Sequence, residues 1–164
     1  MATLLTLSGD AGPLTKISIP LGQGVLSQRS FYAFESVVTW MANEVPKMVC
    51  GRLNAPQSPA EQLDDILFRW IAGKEIRYSR MFQDLMPAHD EVWEHKRADL
   101  RIFGWMYKPR VFIAVRGVYA DDLKGPNPTE SYEDAKALVI RTRNELDLDE
   151  PKYTGGEFDA LVRI

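Results

Sequence analysis

Residues 92–115 read VWEHKRADLRIFGWMYKPRVFIAV. Aromatic, β-branched and cationic side chains crowd into this run, and its two interruptions, Ala98-Asp99 and Lys108-Pro109, have the composition of turns. The spacing predicts three antiparallel strands, over 92–97, 100–107 and 110–119. In the middle strand, alternation places Arg101, Phe103, Trp105 and Tyr107 on one face and Ile102, Gly104 and Met106 on the other. One face is therefore aromatic and cationic. It is either a surface that handles RNA, with rings for bases and an arginine for phosphate, or a core face whose Arg101 pairs with an acid such as Glu94 on the next strand.

Upstream, residues 77–85 have the pattern of a short helix stopped by Pro87. A longer helix precedes it. Ser58, Pro59 and Glu61 match an N-cap, a first-turn proline and a capping-box acid. Leu63, Ile66, Leu67, Trp70 and Ile71 fall at i, i+3, i+4, i+7 and i+8, and Gly73 closes the helix. NAPQSP, 54–59, has the composition of a linker, which divides the chain into an N-terminal extension, 1–53, and a main unit, 54–164, packed together. In the extension, TLLTL and LTKISIP flank the turn-forming SGDAGP and predict a hairpin. SFYAFESVVTWMANEV then predicts a helix capped by Ser30, apolar at Phe31, Phe34, Val38 and Met41, and ended by Pro46.

Downstream, DDLKGPNP is a loop, and Ser131 with Asp134 opens a last long helix carrying Ala135, Leu138, Val139, Thr142 and Leu146 toward the sheet. EFDALVRI alternates Phe158, Ala160 and Val162 and predicts an edge strand. The fold class that follows is α+β: an antiparallel sheet packed by helices, with a hairpin and helix added in front.

The 164 residues, 45% hydrophobic and 26% charged, fit a single globular domain. Cys50 is the only cysteine, so no intramolecular disulfide forms, and no Cys/His grouping has zinc spacing. Neither a metal nor an organic cofactor is expected. No apolar run nears the roughly 18 residues of a membrane span, and MATLLTLSGD lacks the basic start of a secretory leader, so a cytoplasmic location is expected. A net charge of −3 argues against a broad cationic surface for nucleic acid. Charge is unevenly spread, however: residues 74–116 carry nine Lys/Arg against six acids, and residues 130–150 carry seven acids against three basic residues.

Several residues admit two readings. His95 is a general base or a satisfied strand histidine. Asp121 and Asp122 suggest a metal site but lack nearby companion ligands, which favours solvated acids. Gly22 and Gly24 are too few for a phosphate loop, and Trp40, Trp70, Trp93 and Trp105 read as core anchors.

Three segments together resemble the RelE/ParE superfamily of toxin-antitoxin toxins, most of all its HigB-like and phage-encoded branch. VWEHK is similar to a short strand of that branch and DLRIFGWMY to the next, in which an arginine precedes apolar and aromatic residues. RVFIAVRGVYADDLKGPNPTESYEDAKAL is similar to the third strand, a lysine-bearing loop and the start of the last helix. The resemblance spans roughly 58–146. It implies a metal-independent endoribonuclease that cuts mRNA on the ribosome by promoting attack of a ribose 2′-hydroxyl on the adjacent phosphate, and that is neutralised by a cognate antitoxin protein.

By that resemblance Arg101, Lys124 and Tyr132 would be catalytic and Lys96 would bind RNA; the aromatic and cationic strands add Trp105, Arg97 and Arg116 as RNA-binding candidates. The chain departs from the pattern at Glu94, where several active relatives carry lysine, and near the C-terminus, where the histidine of active HigB-like toxins is missing and the tail is acidic. The alternative is a catalytically degenerate scaffold that contacts a host protein, as a phage or mobile-element inhibitor would. A continuous cationic pocket joining Lys96, Arg101, Lys124 and Tyr132 is required by the first reading. Acids filling that pocket are required by the second.

Overall fold

A computed structural model describes residues 1–164. Six strands form one sheet: β1 (Leu14–Lys16), β2 (Ser30–Phe34), β3 (Phe82–Asp84), β4 (Trp93–Lys96), β5 (Leu100–Lys108) and β6 (Val111–Tyr119), in spatial order β1-β2-β6-β5-β4-β3. Helices α1 (Leu4–Leu7), α2 (Glu35–Thr39), α3 (Pro59–Ile71), α4 (Asp121–Lys124), α5 (Tyr132–Glu145) and α6 (Phe158–Val162) complete the fold. The α+β class is as expected. The sheet is mixed rather than antiparallel, because β2 runs parallel to β6, with Phe31 beside Phe112 and Ala33 beside Ala114.

The opening run folds into the three antiparallel strands that its composition predicts. Every residue of β5 from Leu100 to Met106 is buried, so both faces of this strand are covered. On one face Leu100, Ile102 and Met106 pack with Phe31, Trp70, Phe82 and Phe112 under α2, α3 and α6. On the other, Phe103 and Trp105 pack with Leu14, Ile113, Val115 and the α5 residues Ala135 and Val139. A β-bulge opposite Phe103/Gly104 gives β6 one extra residue, and this keeps Arg116 and Val118 level with Phe103 and Arg101. Gly104 is required here: a Cβ would lie 2.0 Å from the Ile113 carbonyl oxygen and 2.7 Å from the Phe112 ring.

The α3 signals hold in full. The Ser58 hydroxyl accepts from the Glu61 amide at 3.2 Å, the five periodic apolar residues are all buried, and Gly73 takes φ +75° beyond the last turn. The Ser131 cap of α5 holds as well, accepting from the Asp134 amide at 3.0 Å.

Four local expectations are overturned. TLLTL is a single helical turn, because the Thr3 side chain caps the Thr6 amide. The strand from LTKISIP pairs with β2 instead of closing a hairpin on TLLTL. SFYAF is strand β2, so the helix that was to start at Ser30 starts at Glu35. Phe31 and Ala33 alternate into the core, and pairing with β6 outweighs the helical spacing of Phe31 and Phe34. Residues 77–85 are not a helix: Ser79 has φ +64°, and Phe82, Gln83 and Asp84 pair with His95, Glu94 and Trp93. EFDALVRI ends in helix α6, not an edge strand. Its carbonyls receive the Arg29 guanidinium at Val162 (2.8 Å) and the Arg110 amide at Leu161 (2.7 Å). DDLKGPNP contains the one-turn helix α4 within its loop.

Residues of the N-terminal segment share the larger core with the main unit: Phe31, Val37, Trp40 and Val45 cluster with Leu63, Leu67 and Trp70. His95 sits in this core, between Phe82 at 4.5 Å and Phe112 at 4.6 Å between ring centroids, with Nε2 unpartnered. Burial, reinforced by Arg97 and Arg29, lowers its pKa to about 3.

Two outcomes are expected. His95 stays neutral in the fold but protonates in the unfolded chain below about pH 6.5. The stability it contributes is therefore complete above that pH and is lost as pH falls from 6.5 toward 3, by roughly 1.4 kcal/mol per pH unit. Urea unfolding between pH 7 and 4.5 should show that slope, and His95→Gln should flatten it. Gly104→Ala should cost about 3 kcal/mol through overpacking against backbone, read as a lowered denaturation midpoint.

Candidate functional site

Beyond the covered middle of β5, the sheet face toward α5 carries charge. Glu94 and Lys96 alternate in phase on β4 and stand opposite Phe103 and Arg101 on β5, while Gln83 on β3 stands beside Glu94. The loop after β6 brings in Lys124, and the first turn of α5 brings in Tyr132. A cavity of about 260 Å³ opens here, lined by Gln83, Leu85, Met86, Glu94, Lys124, Tyr132, Glu133 and Lys136.

Glu94 is the centre of this arrangement. It has no solvent exposure, its Oε1 accepts from Gln83 Nε2 at 2.7 Å, and its Oε2 lies 3.9 Å from Arg101 Nε. That separation gives Coulombic attraction without a hydrogen bond, so both Glu94 Oε2 and Arg101 Nε remain unpartnered. The Tyr132 hydroxyl is also buried and unpartnered. Burial pushes the Glu94 carboxyl above the usual carboxylate range, against the opposing pull of Gln83, Arg101, Lys96 and Lys124. Burial lowers the pKa of Lys96, which donates to the Ser79 carbonyl at 3.0 Å. Lys124 Nζ lies 5.7 Å from the centroid of the Tyr132 ring, which meets Phe103 edge-on at 5.7 Å.

Of the residues singled out from sequence, Lys96, Arg101, Lys124 and Tyr132 come together around Glu94. Arg101 is not freely presented: it is 6% exposed, and its Nη1 donates to the carbonyls of Arg97 and, at 2.8 Å, Leu100. The other three lie apart. The Arg97 guanidinium turns to Asp65 on α3. Arg116 pairs with Glu130. Trp105 is fully buried, its Nε1 donating to the Lys152 carbonyl at 2.9 Å, so it cannot stack on a base, and its RNA-binding role is corrected to a core anchor. Asp121 and Asp122 do not form a metal cluster with other ligands; Asp121 pairs with Arg52 at 3.3 Å.

Gln83, Glu133 and Lys136 complete the site and were not expected from sequence. Gln83 was hidden by the helical pattern of 77–85. The period-two phase of Glu94 with Lys96 was the available signal for the carboxylate. Lys136 closes the rim, donating to the Met86 carbonyl at 3.1 Å and lying 3.5 Å from Asp90 and 3.6 Å from Glu133.

No protein-family model, characterised protein or solved structure matches the chain. The likeness to RelE/ParE toxins therefore rests on the residues that carry it. No helix is long and apolar enough to cross a membrane.

The burial of Arg101 makes a stability prediction. Arg101→Ala strips donors from two carbonyls and leaves Glu94 without its nearest enclosed cation, which should cost about 3–5 kcal/mol. Adding Glu94→Gln should restore part of this, because the stranded charge is removed. A double-mutant cycle by chemical denaturation checks the coupling; strictly additive losses would show that the two side chains do not sense each other.

Proposed function

We propose that this chain is a RelE/HigB-like toxin-type protein acting on RNA as a metal-independent endoribonuclease, with mRNA on the ribosome as substrate and a cognate antitoxin protein as its neutralising partner. The observation that carries the reading is a cavity lined by Glu94, Lys124 and Tyr132, with Lys96 and Arg101 beside Glu94 but outside the lining, and with polar atoms of Glu94, Arg101 and Tyr132 unpartnered. Cleavage through a ribose 2′-hydroxyl needs a base, cations for the phosphorane and a donor for the leaving oxygen. The site holds groups of all three types: Glu94 as base, Lys124 as cation and Tyr132 as donor.

In this reading the ionised Glu94 carboxylate takes the 2′-hydroxyl proton as O2′ bonds to phosphorus. The P–O5′ bond breaks, and the departing O5′ receives a proton from the Tyr132 hydroxyl. The products are a 2′,3′-cyclic phosphate and a 5′-hydroxyl end. Lys124, on the cavity wall, offsets the charge that accumulates on the phosphoryl oxygens, and Lys96 adds positive field from beside Glu94. A carboxyl raised from its ordinary value is better matched to proton abstraction near neutrality than an exposed one. Arg101, enclosed beside Glu94, acts as a positioning residue.

A second reading is supported by the acid itself. Glu94 occupies the middle of the cationic group, Trp105 is sealed, and residues 130–150 are acidic, features suited to a scaffold that binds a host protein and leaves RNA intact.

Incubating the protein with end-labelled mRNA, on programmed ribosomes and free, separates the two. Cleavage leaving 2′,3′-cyclic ends, reduced about 10²-fold or more by Lys124→Ala and by Tyr132→Phe, and falling at low pH as Glu94 protonates, is the expected result. Intact mRNA on active ribosomes would reject the ribonuclease reading in favour of the binding scaffold.

A further inference from the structure

Glu94 differs from an ordinary structural carboxylate in having one oxygen, Oε2, enclosed and without a hydrogen-bond partner while it lines a cavity. Charged and titratable groups face it from each packed element: Lys96 from β4, Arg101 from β5, Lys124 from α4, and Tyr132, Glu133 and Lys136 from α5, with neutral Gln83 from β3. Lys136 is already engaged by Asp90 and Glu133 at 3.5 and 3.6 Å. Lys124 is thus the cation on the cavity wall left for an incoming anion, with Lys96, which donates to the Ser79 carbonyl, and Arg101 outside the lining.

A phosphodiester entering this cavity meets the enclosed Glu94 carboxylate as a like charge, and such repulsion is stronger beside a buried group than in open water. Protonation removes the repulsion. It also gives the carboxyl an O–H that can donate to a phosphoryl oxygen, where the carboxylate could only accept. Enclosure already favours the neutral carboxyl, and an added anion shifts it further the same way.

We infer that a nucleic-acid phosphodiester enters the cavity beside Glu94 together with a proton that Glu94 takes up, so that occupancy of the site is controlled by pH. The inference rests on reading this cavity as the RNA-backbone site, and it adds a regulatory consequence. Binding strengthens as pH falls, whereas proton abstraction needs the ionised carboxylate, so affinity and turnover respond to pH in opposite directions.

The test is calorimetric titration of the full chain with a 2′-deoxy tetranucleotide, which cannot be cleaved and does not titrate between pH 5.5 and 8, in buffers of different ionisation enthalpy. Uptake of a substantial fraction of one proton is expected, with affinity rising by up to about tenfold per unit fall in pH where Glu94 titrates. Glu94→Gln should bind with that uptake abolished and with affinity independent of pH. Lys124→Gln, on the exposed rim, should weaken binding several-fold and leave the uptake in place. Wild-type binding without proton uptake, or uptake unchanged in Glu94→Gln, overturns the inference, and the wild-type buffer comparison decides it even if the Glu94 variant misfolds. Absence of binding overturns both this inference and the RNA reading. Binding with uptake, beside ribosomal mRNA that stays uncut, retains the inference and rejects cleavage alone.

Discussion

The whole architecture depends on β5 being closed to water on both faces. Seven consecutive buried residues, Leu100 to Met106, leave no solvent to satisfy the backbone of this strand, so β6 pairs along it on one side, while on the other β4 pairs with Arg101–Gly104 and the Thr154 amide donates to the Met106 carbonyl. The same enclosure requires two separate apolar layers. Leu100, Ile102 and Met106 hold α2 and α3 to one side, and Phe103 and Trp105 hold α5 to the other. Gly104 lets β6 approach at the point where a side chain would strike the Ile113 carbonyl.

Charge placed on such a sheet cannot be treated as surface charge. Arg101 and Glu94 belong to the face that packs under α5, and their interaction is long enough, at 3.9 Å, to leave polar atoms of both unsatisfied. A fold optimised only for stability would bring these groups into direct contact or replace both with apolar residues. Leaving them apart beside a cavity, with Lys96, Lys124 and Tyr132 near, stores unsatisfied donors and acceptors where a polar ligand can meet them. The functional reading rests on this arrangement rather than on the net charge of the chain, which is negative.

The elements legible in the sequence are those whose signals are local. Ser58, Pro59 and Glu61 specify the start of α3 by hydrogen bonding within one turn, and Ser131 does the same for α5. Strands β4 to β6 are legible because their turns lie between them in the chain. The misread segments took their structure from distant partners. β2 is a strand because β6 lies beside it, about eighty residues away by register, and β3 is a strand because it adds to the edge of β4. The helical spacing of Phe31 with Phe34, or the helix-like pattern of residues 77–85, contains no record of those neighbours. The site shows the same division. Arg101 was legible from strand phase and Lys96 from the family resemblance, whereas Gln83 was lost with the misassigned segment, and the burial of Trp105 follows from packing under α5 and the chain near Lys152.

Enclosure also changes what an arginine-to-alanine experiment can mean here. For an exposed cation, loss of activity with an intact fold would report on substrate charge. Arg101 instead donates to two main-chain carbonyls at the start of β5 and stands beside an unexposed carboxylate, so its removal disturbs the strand and the protonation of Glu94 together. Lys124 and Tyr132 approach the cavity from α4 and α5 and contribute no such support to β5. Chemistry at this site is therefore best separated from stability through the groups that α4 and α5 present, while the β4–β5 pair reports on how a sheet encloses a carboxyl raised above its ordinary range.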